Sequence, residues 1–145
     1  MKPRTRARSV ALQALYEIDM AGHVPLVVIQ ERVDEAAMND DLSKFAVEIA
    51  TGVWPMVEML DSFIAEHAPE WPLDQVAAID RNIIRIALWE FAISGETPIK
   101  VAINEAVELA KVYGSDSSPR FVNGVLGSLS TRLNQIHQAV KKIDP

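Results

Sequence analysis

Cysteine is absent from the 145 residues, which excludes disulfide scaffolds, thiolate metal sites and thiol nucleophiles together. Glycine (6) and proline (8) are too sparse for a collagen-like or low-complexity chain. No apolar run approaches the roughly 20 residues that a membrane-spanning helix needs. The basic start, Met1 to Arg8, leads into a segment carrying Glu17 and Asp19 with no small-residue cleavage site. A secretory leader is therefore not expected, and the reading is cytoplasmic. What is present is a hydrophobic fraction of 49% and a length that suits one domain, residues 1–145.

The net charge of −6 hides an asymmetry. Residues 1 to 16 carry Lys2, Arg4, Arg6 and Arg8 and no acid, whereas residues 17 to 74 carry 13 acids against Arg32 and Lys44. Residues 75 to 145 carry 8 bases against 7 acids. A surface that neutralised nucleic acid throughout would be basic throughout, so any such role is confined to the N-terminal end.

Apolar positions recur at helical spacing nearly everywhere, which predicts an all-α fold, a compact bundle of five to seven helices. The stripe Ala7, Ala11, Leu15 and Ile18, with Leu12 and Ala14, predicts a helix over Thr5 to Ala21 that stops near Gly22 and Pro25. A weaker pattern, Val27, Ile29, Val33, Ala36 and Ala37, predicts a short second helix. The series Leu42, Phe45, Ile49, Val53, Val57, Leu60 and Ile64 keeps its phase across Pro55, where a kink is expected. After a turn over His67 to Pro72, a fourth helix carries Val76, Ile79, Ile83, Ile86, Ala87, Trp89 and Phe91 and ends at Ser94-Gly95. Thr97-Pro98 and Ser118-Pro119 each read as a capping hydroxyl before a first-turn proline. They open a fifth helix that runs to Gly114 and a sixth that carries Val122, Val125, Leu126, Leu129, Leu133 and Ile136.

Catalytic and metal chemistry finds little support. His23, His67 and His137 stand in three segments with no ligand spacing, and the glycines form neither a phosphate loop nor a dinucleotide fingerprint. Glu105 and Glu108 lie a turn apart, but Lys111 follows Glu108 at i+3, so they read as a solvated, paired face. No cofactor is called for, and no enzyme is expected.

The N-terminal cluster is different. Arg6, Ser9, Gln13 and Tyr16 follow at i+3, i+4 and i+3, a polar strip beside the apolar stripe. Arginine contacts phosphate, glutamine reaches a base edge and tyrosine offers a face to an unpaired base, a combination suited to single-stranded RNA. Phe121 falls off the stripe of its own helix, either packed across neighbouring small residues or serving as a second stacking platform near a helix N-terminus.

The strings Lys100-Val-Ala-Ile-Asn-Glu-Ala-Val-Glu-Leu-Ala-Lys111, Gly114 and Arg120-Phe-Val-Asn-Gly-Val-Leu126 resemble the NusB family of bacterial transcription antitermination factors. Arg6-Ala-Arg8, Ala11-Leu-Gln-Ala-Leu-Tyr16, Asp80-Arg81 and Ile83-Ile-Arg-Ile-Ala-Leu-Trp-Glu90 extend the resemblance over nearly the whole chain; residues 23 to 72 match poorly. The resemblance implies two small helical subdomains, binding of the boxA element of nascent RNA, the ribosomal protein NusE as companion and membership of an RNA polymerase antitermination complex. Carried onto this chain, the RNA surface comprises Lys2, Arg4, Arg6, Arg8, Gln13, Tyr16, Phe121 and Asn123. Asp74 and Asp80 fall on the NusE surface.

Two departures stand out. Ser117-Ser118 and Gly127 occupy places where the family often has Asp-Ser and Asp, while an acid stands one residue earlier as Asp116. The basic residues Arg4, Arg6 and Arg8 alternate, so about half of them face one side at once. A protein-interaction scaffold or homodimer without sequence-specific RNA binding is the competing reading. A module like the one preceding some rRNA cytosine methyltransferases is another, although 145 residues leave no room for the methyl-donor site.

Overall fold

A computed structural model describes residues 1–143, and every regular element among them is helical. The chain forms two compact units, Met1–Met56 and Val57–Pro145.

The first unit holds α1 (Pro3–Ala21), α2 (Pro25–Ala36) and α3 (Asp40–Val53), each packed on the other two. α1 and α2 both begin with proline, whose missing N–H falls where no intrahelical partner exists anyway. α1 ends at Gly22, left-handed at φ 66°, whose N–H donates to the Ile18 carbonyl at 3.2 Å. α3 is capped by Asn39, which accepts from the Leu42 N–H at 2.9 Å, and Asp40 and Asp41 in its first turn favour the dipole.

Ala7, Ala11, Leu12 and Leu15 form the core of this unit with Val28, Ile29 and Val33 and with Ala46, Ile49, Ala50 and Val53. Complete burial of one such leucine or isoleucine contributes about 1.5–3 kcal/mol. On α2 Ile29 and Val33 are buried as expected, but Val28 is buried in place of Val27, which faces outward. Four consecutive apolar residues, Leu26 to Ile29, leave the helical phase undetermined in the sequence.

The regular helix is interrupted at Pro55, where Trp54–Met56 forms a 3-10 turn. The second unit follows with α4 (Val57–His67), α5 (Ala78–Leu88), α6 (Ile99–Tyr113), α7 (Ser118–Ser130) and α8 (Leu133–Ile143). α5 runs on into a wide π-type turn, Trp89–Ser94, closed by Gly95 at φ 70°. The sixth helix of the sequence reading is in fact two, α7 and α8, separated at Thr131-Arg132 while the apolar series continues across the break.

α6 and α7 pack on each other and both pack on α5. Gly114 makes their junction possible, since a Cβ there would lie 2.5 Å from the Ser118 side chain and 2.8 Å from the Ala110 carbonyl oxygen. The two expected capping hydroxyls are engaged elsewhere. Thr97 Oγ1 donates to the buried Glu90 carboxylate at 2.9 Å, and Ser118 Oγ donates to Asp80 Oδ2 at 2.9 Å. Each helix starts close to where the proline puts it, but a buried acid, 7 residues away for Thr97 and 38 for Ser118, outcompetes the local cap.

Candidate nucleic-acid interface

The N-terminal strip forms because α1 must bury Ala7, Ala11, Leu12 and Leu15, which turns the residues between them outward or to the flank. Lys2, Arg4, Arg6 and Tyr16 are exposed, and Gln13 is half-buried. Ser9 turns inward, its Oγ donating to the Arg6 carbonyl at 2.7 Å.

The three arginines have different surroundings. Arg6 Nη2 donates to the Ala36 carbonyl at the end of α2, placing a cation against a helix C-terminus. Arg4 and Arg8 both lie over the ring of Phe45 on α3, with Cζ 4.3 Å and 5.0 Å from its centroid. Arg8 is only 4% exposed, so the member of the trio expected on the RNA surface lies inside the unit.

The first acid of the chain, Glu17, follows Tyr16 directly and is held by two bases. His23 Nδ1 and Arg32 Nη2 each approach its carboxylate at 2.9 Å. The hydrogen bonds from His23 and then from Arg32 keep the Glu17 carboxyl below the usual carboxylate range. A negative charge at the edge of the basic strip is thereby compensated.

In the second unit, Asn123 is exposed near the start of α7 and Phe121 is half-buried there. Ser118 anchors this end of the helix to Asp80 and also accepts from the Ser115 N–H at 2.9 Å. Asp80 is 6% exposed, and its Oδ1 is buried without a hydrogen-bond partner. The carboxylate is thus an internal group, whereas Asp74 is exposed on the rim of a cleft of about 560 Å³ in this unit. Trp71, Pro72 and Leu73 line the cleft with Arg81, and the ion pair of Arg85 with Asp61 lies at its wall.

Glu108 and Lys111 pair at 3.1 Å, both exposed, as their spacing suggests. Among the described residues no group of three or more His, Asp or Glu side chains could hold a metal ion, and no helix is long and apolar enough to cross a membrane. Sequence reasoning missed Phe45, Glu17 with Arg32, and Asp61 with Arg85. Phe45 read simply as one apolar position in a series, and the two ion pairs join residues 15 and 24 positions apart, beyond any local pattern.

Fold and site define a class: all-helical proteins of two small units whose first helix carries an arginine-bearing polar strip. The chain belongs to the NusB family, whose model matches residues 5–131. It is 46% identical over 134 residues to transcription antitermination protein NusB of Roseiflexus sp. (strain RS-1), covering 91% of this chain and 94% of that protein. The Bacillus subtilis (strain 168) protein of the same name is 38% identical over 135 residues, covering 93% and 99%.

Solved structures agree. T. maritima NusB superposes with a TM-score of 0.81 at 30% identity, covering 90% of this chain and 92% of that one. A structure of antitermination factors NusB and NusE in complex with double-stranded RNA gives 0.78 at 27% identity, covering 96% and 98%.

Proposed function

We propose that this protein is a cytoplasmic, non-catalytic transcription antitermination factor. It binds boxA-type single-stranded RNA together with NusE and joins the RNA polymerase elongation complex on ribosomal RNA operons. The observation that carries this reading is the exposure of Lys2, Arg4, Arg6 and Tyr16 along the first 16 residues of a chain whose next segment is strongly acidic. Membership of the NusB family, with a relative solved in complex with NusE and double-stranded RNA, supports the RNA and NusE parts of this reading.

In this reading Lys2, Arg4 and Arg6 contact phosphate, Gln13 a base edge, and Tyr16 and Phe121 the faces of unpaired bases, with Asn123 beside Phe121. Arg8 and Asp80 act from inside, Arg8 from α1 against the ring of Phe45 and Asp80 by fixing the start of α7. Asp74 and the adjoining cleft meet NusE. Residues 1–145 work as one RNA-binding domain.

Fluorescence anisotropy of a boxA-like RNA and a scrambled control, with and without NusE, tests it. Selective binding that tightens with NusE is expected. Equal or absent binding to both RNAs in the presence of NusE refutes it.

A protein-interaction module or homodimer is favoured by one observation: Met20, Val24, Leu26 and Val27 are all exposed around the turn from α1 to α2. Light scattering at two salt concentrations distinguishes this reading, which predicts self-association without RNA.

A further inference from the structure

Phe45 is half-buried on α3, and no chemistry in the sequence points to it. Its ring holds two guanidinium groups, Arg4 at 4.3 Å and Arg8 at 5.0 Å, both inside the roughly 6 Å range over which a ring face attracts a cation. The two arginines are one helical turn apart, a spacing at which like charges repel. A shared electron-rich ring offsets that repulsion and keeps both side chains on the same flank of α1.

Their burial differs in a way that assigns them separate tasks. Arg8 is enclosed within the unit, whereas Arg4 is exposed. Contact with a ring face leaves most of the five guanidinium N–H donors available to an incoming anion. A free arginine loses much rotamer freedom when it grips phosphate, and one already held against a ring loses less.

We infer that Phe45 is a positioning residue for RNA binding: its ring, fixed by buried Arg8, holds Arg4 extended toward the phosphate backbone. The inference rests on the RNA-binding reading above and adds to it a residue that does not itself touch RNA. It also explains how a strip of alternating arginines still presents an ordered cation.

The test uses the full chain, a boxA-like RNA and salt titration. Phe45→Leu keeps apolar bulk and removes the ring face, and its affinity falls about two- to fivefold, the worth of one cation–ring contact at an exposed site. Its log–log salt slope falls by up to about 0.7, the loss of one complete phosphate contact on a single strand. Phe45→Tyr, which keeps the ring face, binds within about twofold of wild type. Arg4→Ala costs much less affinity in the Phe45→Leu background than alone, because the two changes remove the same interaction.

A purely structural role would lower the unfolding temperature without changing the salt slope or producing that coupling. Should Phe45→Leu fail to fold, the unaltered protein still decides. Its Arg4 δ-proton resonances shift upfield in the ring current of Phe45, and random-coil positions overturn the inference. Wild-type binding with an unchanged Phe45→Leu affinity and slope overturns it alone, as does equal loss in Phe45→Tyr. Absence of RNA binding by wild type, with NusE present, overturns the RNA-binding reading and this inference with it.

Discussion

The ion pair between α5 and α4 makes a quantitative test of how burial divides a charge interaction between its partners. Arg85 Nε donates to Asp61 Oδ1 at 2.8 Å and Nη2 to Oδ2 at 2.7 Å, while Nη1 donates to Asn82 Oδ1 at 3.2 Å. The side chains are 5% and 30% exposed, so the arginine is enclosed and the aspartate reaches water at the cleft. Asp61→Ala leaves an enclosed guanidinium without its carboxylate. A fully buried pair broken in this way costs 3–5 kcal/mol, and the solvent access of Asp61 places this one at about 3 kcal/mol.

Arg85→Met removes the enclosed charge, fills its volume with an apolar chain and leaves a carboxylate that can hydrate, at a cost of about 1 kcal/mol. At about 2–4 °C per kcal/mol for a chain of this size, Asp61→Ala melts roughly 6–12 °C below wild type and Arg85→Met roughly 2–4 °C below. Urea unfolding followed by circular dichroism measures both, with midpoints compared at constant slope. An Arg85→Met variant as unstable as Asp61→Ala, or more so, would refute the reasoning.

Gly114→Ala places a methyl group 2.5 Å from Ser118 and 2.8 Å from the Ala110 carbonyl oxygen, which cannot move without its helix. The expected cost is about 1–3 kcal/mol, with faster amide exchange at Ser115, whose N–H bonds to Ser118; unchanged stability and exchange would contradict the close approach. Glu17 has a lowered pKa in the fold, so the stability it adds is present above the ordinary carboxylate range and is lost as pH falls through the lowered value. Wild type is therefore slightly more stable than Glu17→Gln at neutral pH, and the two converge in acid. A difference that grew on acidification would reverse the sign and sink the assignment.

Local chemistry in the chain was sufficient for much of the fold. Gly22, Pro55, Gly95, Pro98 and Gly114 mark real ends or interruptions, because glycine adopts the left-handed or closely packed backbone that ends a helix and proline withholds an N–H from it. The apolar stripe of α1 was also legible, apart from Ile18, which is half-buried. The break between α7 and α8 was not, because Val122 through Ile136 keep one period across it. Nor was the phase of α2, where Val27 and Val28 are interchangeable to any rule based on hydrophobicity.

The candidate site divides in the same way. The sequence determined that the first helix carries arginine, glutamine and tyrosine on one strip and that the charge there opposes the acidic segment that follows it. Only tertiary structure decided that Arg8 is enclosed, that Arg4 lies on Phe45, that Arg6 meets the end of α2 and that Asp80 is bonded inward to Ser118. Periodicity and capping act over one or two turns and are written into neighbouring residues. Partners of polar groups are chosen across distances such as the 38 residues between Asp80 and Ser118, where burial makes an unpaired charge so costly that it overrides the local alternative.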